Sequence, residues 1–290
     1  MKYLFYPGCS AESSALEYGT STLAVLEALG AEVEELKDWT CCGASVAATL
    51  SDLLGVVLPA RNLALAEQAG DGQEMLTVCS ACYTNFRRTS AAIAAQPHLL
   101  GTINQALEVE GLAYHGTVRT RHLMDVLAND FDLETIAARV QRPLTGLTVA
   151  PYYGCQTVRP YSPFDDDQRP TSMVGILEAL GATVYRHSHE ALCCGTSLLT
   201  TKPDVGYQMA GAILEACEPA DCISAVCPMC HMNLDSYQDK VSQVVGHSVQ
   251  VPVLFLPQLM GLAFGLPESA LMFNRHVVPV GPVLAQLSGA

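Results

Sequence analysis

Two adjacent cysteines cannot easily close a disulfide on each other, and this chain carries such a doublet twice, as Cys41-Cys42-Gly43 and Cys193-Cys194-Gly195. The other cysteines keep one order around each doublet. Cys9 precedes the first and Cys79-Ser80-Ala81-Cys82 follows it; Cys155 precedes the second and Cys227-Pro228-Met229-Cys230 follows it. Ten of the twelve cysteines are used in this way, with 31 and then 36 residues between the groups of the first set and 37 and then 32 in the second. Loop lengths vary while the five-thiol order survives, which is how a site held by its ligands behaves. Thiolates are soft donors that select zinc, cuprous copper or iron-sulfur clusters. Structural zinc takes four ligands, so a fifth cysteine in each set points to a polynuclear centre, although a cubane also needs only four.

The elements that must position these thiols read as two copies of one plan. Tyr3 to Tyr6 is β-prone and ends at Pro7-Gly8, which places Cys9 just past a strand. Ser13 and Ser14 stand where they can cap a helix with apolar positions Leu16, Leu23, Leu26 and Leu29, and Gly30 reads as its C-cap. Val33 to Leu36 is a second strand that delivers Cys41 and Cys42. Gly43 then removes a side chain where the backbone passes something bulky, or simply turns. A helix from about Leu50 to Ala69 and a strand at Met75 to Val78 lead to Cys79 and Cys82 on a strand-to-helix turn. A helix lies within 97–116, a short strand and helix within 118–126, and the charged stretch 130–147, broken by Pro143 and Gly146, connects the halves.

The plan restarts with a strand over Leu147 to Tyr153, and Gly154-Cys155 answers Gly8-Cys9. Val25-Leu-Glu-Ala-Leu-Gly-Ala31 is echoed by Ile176-Leu-Glu-Ala-Leu-Gly-Ala182, and Asn85 stands three residues after Cys82 as Asn233 does after Cys230. Internal duplication is the simplest reading. The expected fold is α/β, in two pseudo-symmetric Rossmann-like halves over residues 1–140 and 141–290, each a mostly parallel sheet flanked by helices. Every cysteine group follows a predicted strand, at the carboxyl ends where open α/β sheets collect ligands.

Half of the 290 residues are hydrophobic and 15% are charged, so each half can bury a core without cross-links. No signal-peptide core and no run of about 18 apolar residues is visible, and the expected setting is a reducing cytoplasm, where clustered cysteines are metal ligands or redox groups. A net charge of −14 with only 15 Lys and Arg argues against nucleic acid.

The repeated pattern of Cys, Cys-Cys-Gly and Cys-x-x-Cys, spanning essentially the whole chain, resembles the CCG-domain family, in the branch of the heterodisulfide reductase B subunit. The resemblance implies two non-cubane [4Fe-4S] clusters, one on Cys9, Cys41, Cys42, Cys79 and Cys82 and one on Cys155, Cys193, Cys194, Cys227 and Cys230. It also implies a disulfide or sulfane-sulfur substrate held between them and opened, or formed, by two one-electron steps, with electrons from a ferredoxin-like partner that is fed by a flavin-containing one. Such a chain is cytoplasmic or peripheral to a membrane through its partners. The alternatives are an electron-transfer subunit of a succinate dehydrogenase or fumarate reductase-type complex, passing electrons to quinone or thiols, and a thiol module with zinc in one or both sites.

Several residues carry competing readings. Cys227 to His231 also spells a c-type haem attachment motif, against which stand the missing export signal and Tyr83 in the place of His231. His231 is expected to serve either as a donor to cluster sulfur or as a cap, and His187, His189 and His231 are the candidate proton donors. Cys217 and Cys222 have no counterpart in the first half and are expected to be inert. Asp165-Asp166-Asp167 lacks the glycine and distal glutamate of a calcium loop and reads as a solvated turn. Arg87 and Arg88 either steady an anion or lie on an ordinary helix face.

Overall fold

The computed structural model describes residues 1–44, 46–70, 72, 74–161 and 163–288. In the first half, β1 (Lys2–Tyr6), helix α1 (Leu16–Ala28), β2 (Glu32–Glu35), α2 (Asp52–Ala69), β3 (Glu74–Thr77), α3 (Ser80–Ala95), α4 (His98–Leu107), β4 (Thr120–His122) and α5 (Leu123–Asn129) follow in order. The second half runs β5 (Thr148–Tyr152), α6 (Ser172–Ala179), β6 (Thr183–Val184), α7 (Pro203–Cys217), β7 (Cys222–Ala225), α8 (Pro228–Ser236), α9 (Gln238–Val245), β8 (Val253–Phe255), α10 (Leu256–Ala263) and α11 (Gly281–Ser288). Each half forms a four-stranded parallel sheet, in the orders β2-β1-β3-β4 and β6-β5-β7-β8. The two halves are therefore pseudo-symmetric α/β units. In each, the chain runs outward from the first strand and then returns to its other side, so the switch point lies between β1 and β3, and again between β5 and β7.

Strand alternation sends side chains to two different cores. Tyr3 and Phe5 of β1, Leu76 of β3, Val149 of β5 and Phe255 of β8 face one continuous core that also holds α1, α5, α6 and α10, drawn from both halves. Leu4, Tyr6 and Met75 face a first-half core with α2, α3 and α4, and Ala150, Tyr152 and Ile223 face a second-half one with α7, α8 and α9; Met229 packs against both. The outer strand β2 carries Glu32, Glu34 and Glu35 in exposed positions, charges that discourage edge-to-edge pairing.

The shared core explains where the helix following Cys9 departs from expectation. Its buried stripe is Tyr18, Thr22, Val25 and Leu26, continued by Leu29, while Leu16 and Leu23 are exposed. The helix lies against α10 of the other half, and Tyr18 stacks on Phe255 with ring centroids 4.1 Å apart. Ser13 and Ser14 do not cap it: its N-cap is Ala15, and Ser13 Oγ donates instead to the Cys9 carbonyl at 2.6 Å. Gly30, at φ 82°, ends the helix as its sequence suggests. The stretch 130–147 includes a short helix, Leu133–Ala137, capped by Asp132. Asp165 accepts backbone N–H bonds from Thr171 and Ser172 and so holds the start of α6, a capping role its acidic run did not announce. Among the described residues no helix is long and apolar enough to cross a membrane.

Candidate functional site

All six cysteine groups lie past the carboxyl end of a strand. Cys9 sits in the short helix Gly8–Ala11 after β1, and Cys155 opens the matching turn Cys155–Val158 after β5. Cys79 is the N-cap residue of α3 and Cys227 that of α8, so Cys82 and Cys230 fall in the first helical turn, facing back across the switch point. The loops after β2 and β6 bring the doublets to the same place.

Within each set the thiols touch. Cys42 Sγ lies 3.1 Å from Cys82 Sγ, and Cys194 Sγ lies 3.4 Å from Cys230 Sγ. Cys9 hydrogen-bonds Cys41, and Cys155 hydrogen-bonds Cys193. The Gly43 and Gly195 N–H groups point at Cys41 and Cys193 Sγ, each at 3.4 Å. Burial divides both sets alike: Cys42, Cys79 and Cys82, like Cys194, Cys227 and Cys230, are buried, while Cys9 and Cys41 are exposed and Cys155 and Cys193 half-buried.

Protons are shared unevenly inside these clusters. Hydrogen bonds from Cys42 and Cys9 hold the Cys41 thiol far below its usual range, and donating to Cys41 pushes Cys9 up. In the second set the bond from Cys155 lowers Cys193 to about 6, helped by the Gly195 N–H and by the Arg159 guanidinium, whose donors go to the Ala191 and Asp167 carbonyls. Crowded thiols cannot all ionise without a cation among them, so the donor set suits a metal centre that displaces these protons.

The surroundings are duplicated with the ligands. Tyr6 donates its hydroxyl to the Thr40 carbonyl and Tyr152 to the Leu192 carbonyl, both at 2.8 Å, which fixes the residue before each doublet. Asn85 donates to the Cys42 carbonyl, and Asn233 to the Cys194 carbonyl at 2.6 Å. A Cβ at Gly8 would stand 3.4 Å from Cys82 Sγ, and one at Gly154 3.0 Å from Cys230 Sγ, so glycine keeps both sulfur pockets open. The residues present therefore fit an iron-sulfur group in each half.

The two sets are also joined. The Cys155–Val158 turn packs on α3, and the Gly8–Ala11 turn packs on α8, so each half's first cysteine rests against the other half's Cys-x-x-Cys helix. Ser80 Oγ, between Cys79 and Cys82, lies 2.6 Å from Thr157 Oγ1 and 3.2 Å from His122 Nε2, whose ring burial keeps neutral by lowering its pKa to about 4. Thr84 donates to the Gln156 carbonyl, and Tyr18 to the Val226 carbonyl. The thiols of Cys79 and Cys227 lie against each other, with Cys79 pushed up as donor and Cys227 held down by bonds from Cys230 and Cys79.

The three candidate histidines turn elsewhere. His187 bonds the Pro151 carbonyl at 3.0 Å and touches Cys217 Sγ at 3.5 Å; His189 bonds Ser188; His231 bonds the Val253 carbonyl at 2.9 Å and stacks on Phe255. Among the described residues no hydrogen bond joins them to any of the ten thiols. Cys217 ends α7, buried and with its thiol raised to about 12 by desolvation, and Cys222 points into the shared core. Arg88 is tied to Asn85, while Arg87 is half-buried on the same helix. Sequence patterns do not single out Tyr6, Tyr152, Ser80, His122 or Thr157; for the tyrosines the matching place at the end of β1 and β5 is the available signal. A surface cavity lined by Lys2, Tyr3, Glu74, Arg119, Arg121 and Asp130 opens at the amino ends of the first sheet, away from the cysteines.

Known proteins share this arrangement. The family model for the cysteine-rich domain called CCG matches residues 3–87 and 149–235. The 8-methylmenaquinol:fumarate reductase membrane anchor subunit of Wolinella succinogenes is 35% identical, over 96% of this chain and 97% of its own. A protein of Archaeoglobus profundus, named as similar to the heterodisulfide reductase B subunit, is 28% identical over 92% of each chain. The B subunit of the ferredoxin:CoB-CoM heterodisulfide reductase of Methanosarcina mazei is 27% identical over 99% of this chain and 97% of its own. A solved structure of a hypothetical protein from Helicobacter pylori superposes with a TM-score of 0.76 at 16% identity; it covers 96% of this chain, which spans about half (52%) of that one, and the likeness concerns the fold. Since the two matched segments together cover more than half of the chain and each carries three strands of one sheet and one complete thiol set, the chain belongs to the CCG cysteine-rich domain family.

Proposed function

We propose that the chain is the catalytic iron-sulfur subunit of a heterodisulfide reductase-like complex, in which Cys9, Cys41, Cys42, Cys79 and Cys82 hold one non-cubane [4Fe-4S] cluster and Cys155, Cys193, Cys194, Cys227 and Cys230 hold another. The observation that carries this reading is the seating of the two thiol sets against each other, each half's first-cysteine turn packed on the other half's Cys-x-x-Cys helix and Ser80 Oγ 2.6 Å from Thr157 Oγ1. A pure relay can work with separated centres, whereas opening one disulfide to two thiols takes two electrons and two protons at one place. When bound, each cluster supplies one electron of that pair. The chain's part is to ionise and aim ten thiols, to bury the inner three of each set, and to leave Cys9, Cys41, Cys155 and Cys193 on the accessible side. The substrate class is a disulfide or sulfane-sulfur compound, reduced or formed. Partners by this reading are one ferredoxin-like and one flavin-containing subunit, in a reducing cytoplasm or at a membrane surface reached through them.

The second reading, an electron-transfer subunit of a fumarate reductase-type complex, is favoured by one observation: the Wolinella succinogenes relative, named as the membrane anchor subunit of a fumarate reductase, is 35% identical to this chain along nearly its whole length. Anaerobically prepared protein decides between them. The Cys42→Ser variant is expected to hold roughly half the iron of the parent, since each cluster depends on its own thiolates. The Cys194→Ser variant is expected to release no thiol from a disulfide given an artificial reductant. Full iron in the first variant, or zinc without visible absorption, rejects the cluster assignment. Thiol release by the second rejects the two-site reaction, and quinone reduction without any thiol activity selects the fumarate reductase-type reading.

A further inference from the structure

Among the described residues one group of three His, Cys, Asp or Glu side chains brings its ligand atoms close enough together to hold a metal ion, and it lies outside the ten cysteines. His231 and Asp235 lie four residues apart on α8 and so share a helix face, and His276, from the segment before α11, meets them there. One ligand atom from each of the three lies within 4.8 Å of the others. His231 Nε2 is 3.3 Å from His276 Nδ1, and zinc-nitrogen bonds of about 2.0–2.1 Å in a tetrahedron give an edge of about 3.3 Å. The Val253 carbonyl, 2.9 Å from the same His231 nitrogen, faces the group as a fourth donor.

We infer that His231, Asp235 and His276 form a zinc site, separate from the cysteine centres, that fastens the C-terminal segment to α8.

Three further features support it. Asp235 is 2% exposed, and among the described residues it forms no salt bridge; its oxygens take only the Val277 and Val278 N–H bonds, at 2.8 and 3.1 Å. A buried carboxylate carries a negative charge that a divalent cation offsets. His276 turns its other ring nitrogen to the Gln258 side chain, at 2.9 to 3.1 Å, and Gln258 is itself held by the Phe255 N–H and the Leu271 carbonyl. Ligating histidines are commonly oriented through the second nitrogen in this manner. Imidazole and carboxylate donors without sulfur suit zinc. Finally, the site is not part of the duplication: aligned on the Cys-x-x-Cys groups, the first half has Tyr83 and Arg87 where the second has His231 and Asp235. The residue before His276, Arg275, donates to Glu17 Oε2 at 2.8 Å and to the Ser13 carbonyl, so the segment held by zinc also ties α1 of the first half to the second.

The test is made on the full-length, cluster-loaded chain, prepared anaerobically with zinc supplied and excess removed by gel filtration. Elemental analysis is expected to find one zinc per chain beside the cluster iron. Absorption at the zinc edge is expected to show only nitrogen and oxygen neighbours at about 2.0–2.1 Å. His276→Ala and Asp235→Asn are expected to lose at least nine-tenths of the zinc while keeping parental iron and visible spectrum. Absence of zinc in the parent overturns the inference, as does sulfur at about 2.3 Å around the zinc, which assigns it to cysteines. Full zinc retention in both variants overturns it as well. Because the parental absorption spectrum decides alone, a variant that fails to fold leaves the conclusion testable, and a failure of the cluster assignment leaves it untouched.

Discussion

Asn85 and Asn233 each spend an amide hydrogen on the carbonyl of the second cysteine in a doublet, a bond made inside the protein where water cannot replace it. Removing either donor leaves a buried carbonyl unpaired, at about 1–3 kcal/mol. Asn85→Ala and Asn233→Ala are therefore each expected to lower unfolding stability by about that amount and to release iron from one centre only, measured by denaturant titration and by iron content. The two changes should not be equivalent in detail, because Asn85 also accepts from Arg88 whereas, among the described residues, the Asn233 oxygen has no partner. The repeated position of these asparagines is readable in the sequence, since each stands three residues past its Cys-x-x-Cys. The tyrosines that brace the residue before each doublet are harder to see, because an aromatic side chain at the end of a buried strand is ordinary core and only the fold turns Tyr6 and Tyr152 toward Thr40 and Leu192.

Elements meet most tightly behind the doublets. Gly43 and Gly195 adopt φ of 72° and 81°, a region that costs other residues about 1–2 kcal/mol, and both press on a helix. An added Cβ at Gly43 would stand 2.8 Å from Leu58 Cδ1, a side-chain end that can give way, and 2.9 Å from Ala47 Cβ, which is held by its helix. At Gly195 it would stand 2.8 Å from the Gly206 Cα, backbone of α7 that cannot give way. Gly195→Ala is thus expected to lower the thermal midpoint more than Gly43→Ala and to disturb the second centre first, seen in the iron retained after mild heating. Turn and close approach, both readable at Gly43, prove to be true together. Elements from α9 onward are less legible. The strand β8 is only three residues long, Val253–Phe255, and no motif marks the segment around His276, which meets His231 across 45 positions of chain. The stripe on α1 departs from its apolar spacing for a related reason: a helix enclosed between two sheets buries polar residues such as Glu17 and Ser21 as well as apolar ones, so hydrophobic spacing alone cannot orient it.

At the scale of the whole molecule, one core passes through both halves. Tyr18, Leu26 and Phe255 are fully buried in it, Tyr18 and Phe255 stacked on each other across the halves, and each such side chain is worth about 1.5–3 kcal/mol when shielded from water. Residues 1–140 made alone are accordingly expected to associate or to bind hydrophobic dyes rather than to form a stable monomer, which sedimentation and dye fluorescence would reveal. A well-behaved monomer with a cooperative melt would show that the shared core matters less than its burial implies. The duplication is legible because ten cysteines repeat in order. Its consequence, that the repeated faces close on each other, is not, since the apolar spacing of α1 does not say that a helix of the other half covers it.

The reciprocal seating of each half's first cysteine on the other half's Cys-x-x-Cys helix also bears on biosynthesis. A ribosome adding about 5–20 residues per second needs roughly 7–30 s to deliver residues 141–290. Until the second half folds, Cys79 and Cys82 lack the Cys155–Val158 turn that covers their helix, and Cys9 lacks its seat on α8. Iron delivered to the nascent chain would find an open, half-walled set of thiols, and oxidants would find it equally well. By the proposed reading both centres are loaded late, on the finished chain, and a single step can serve the two together.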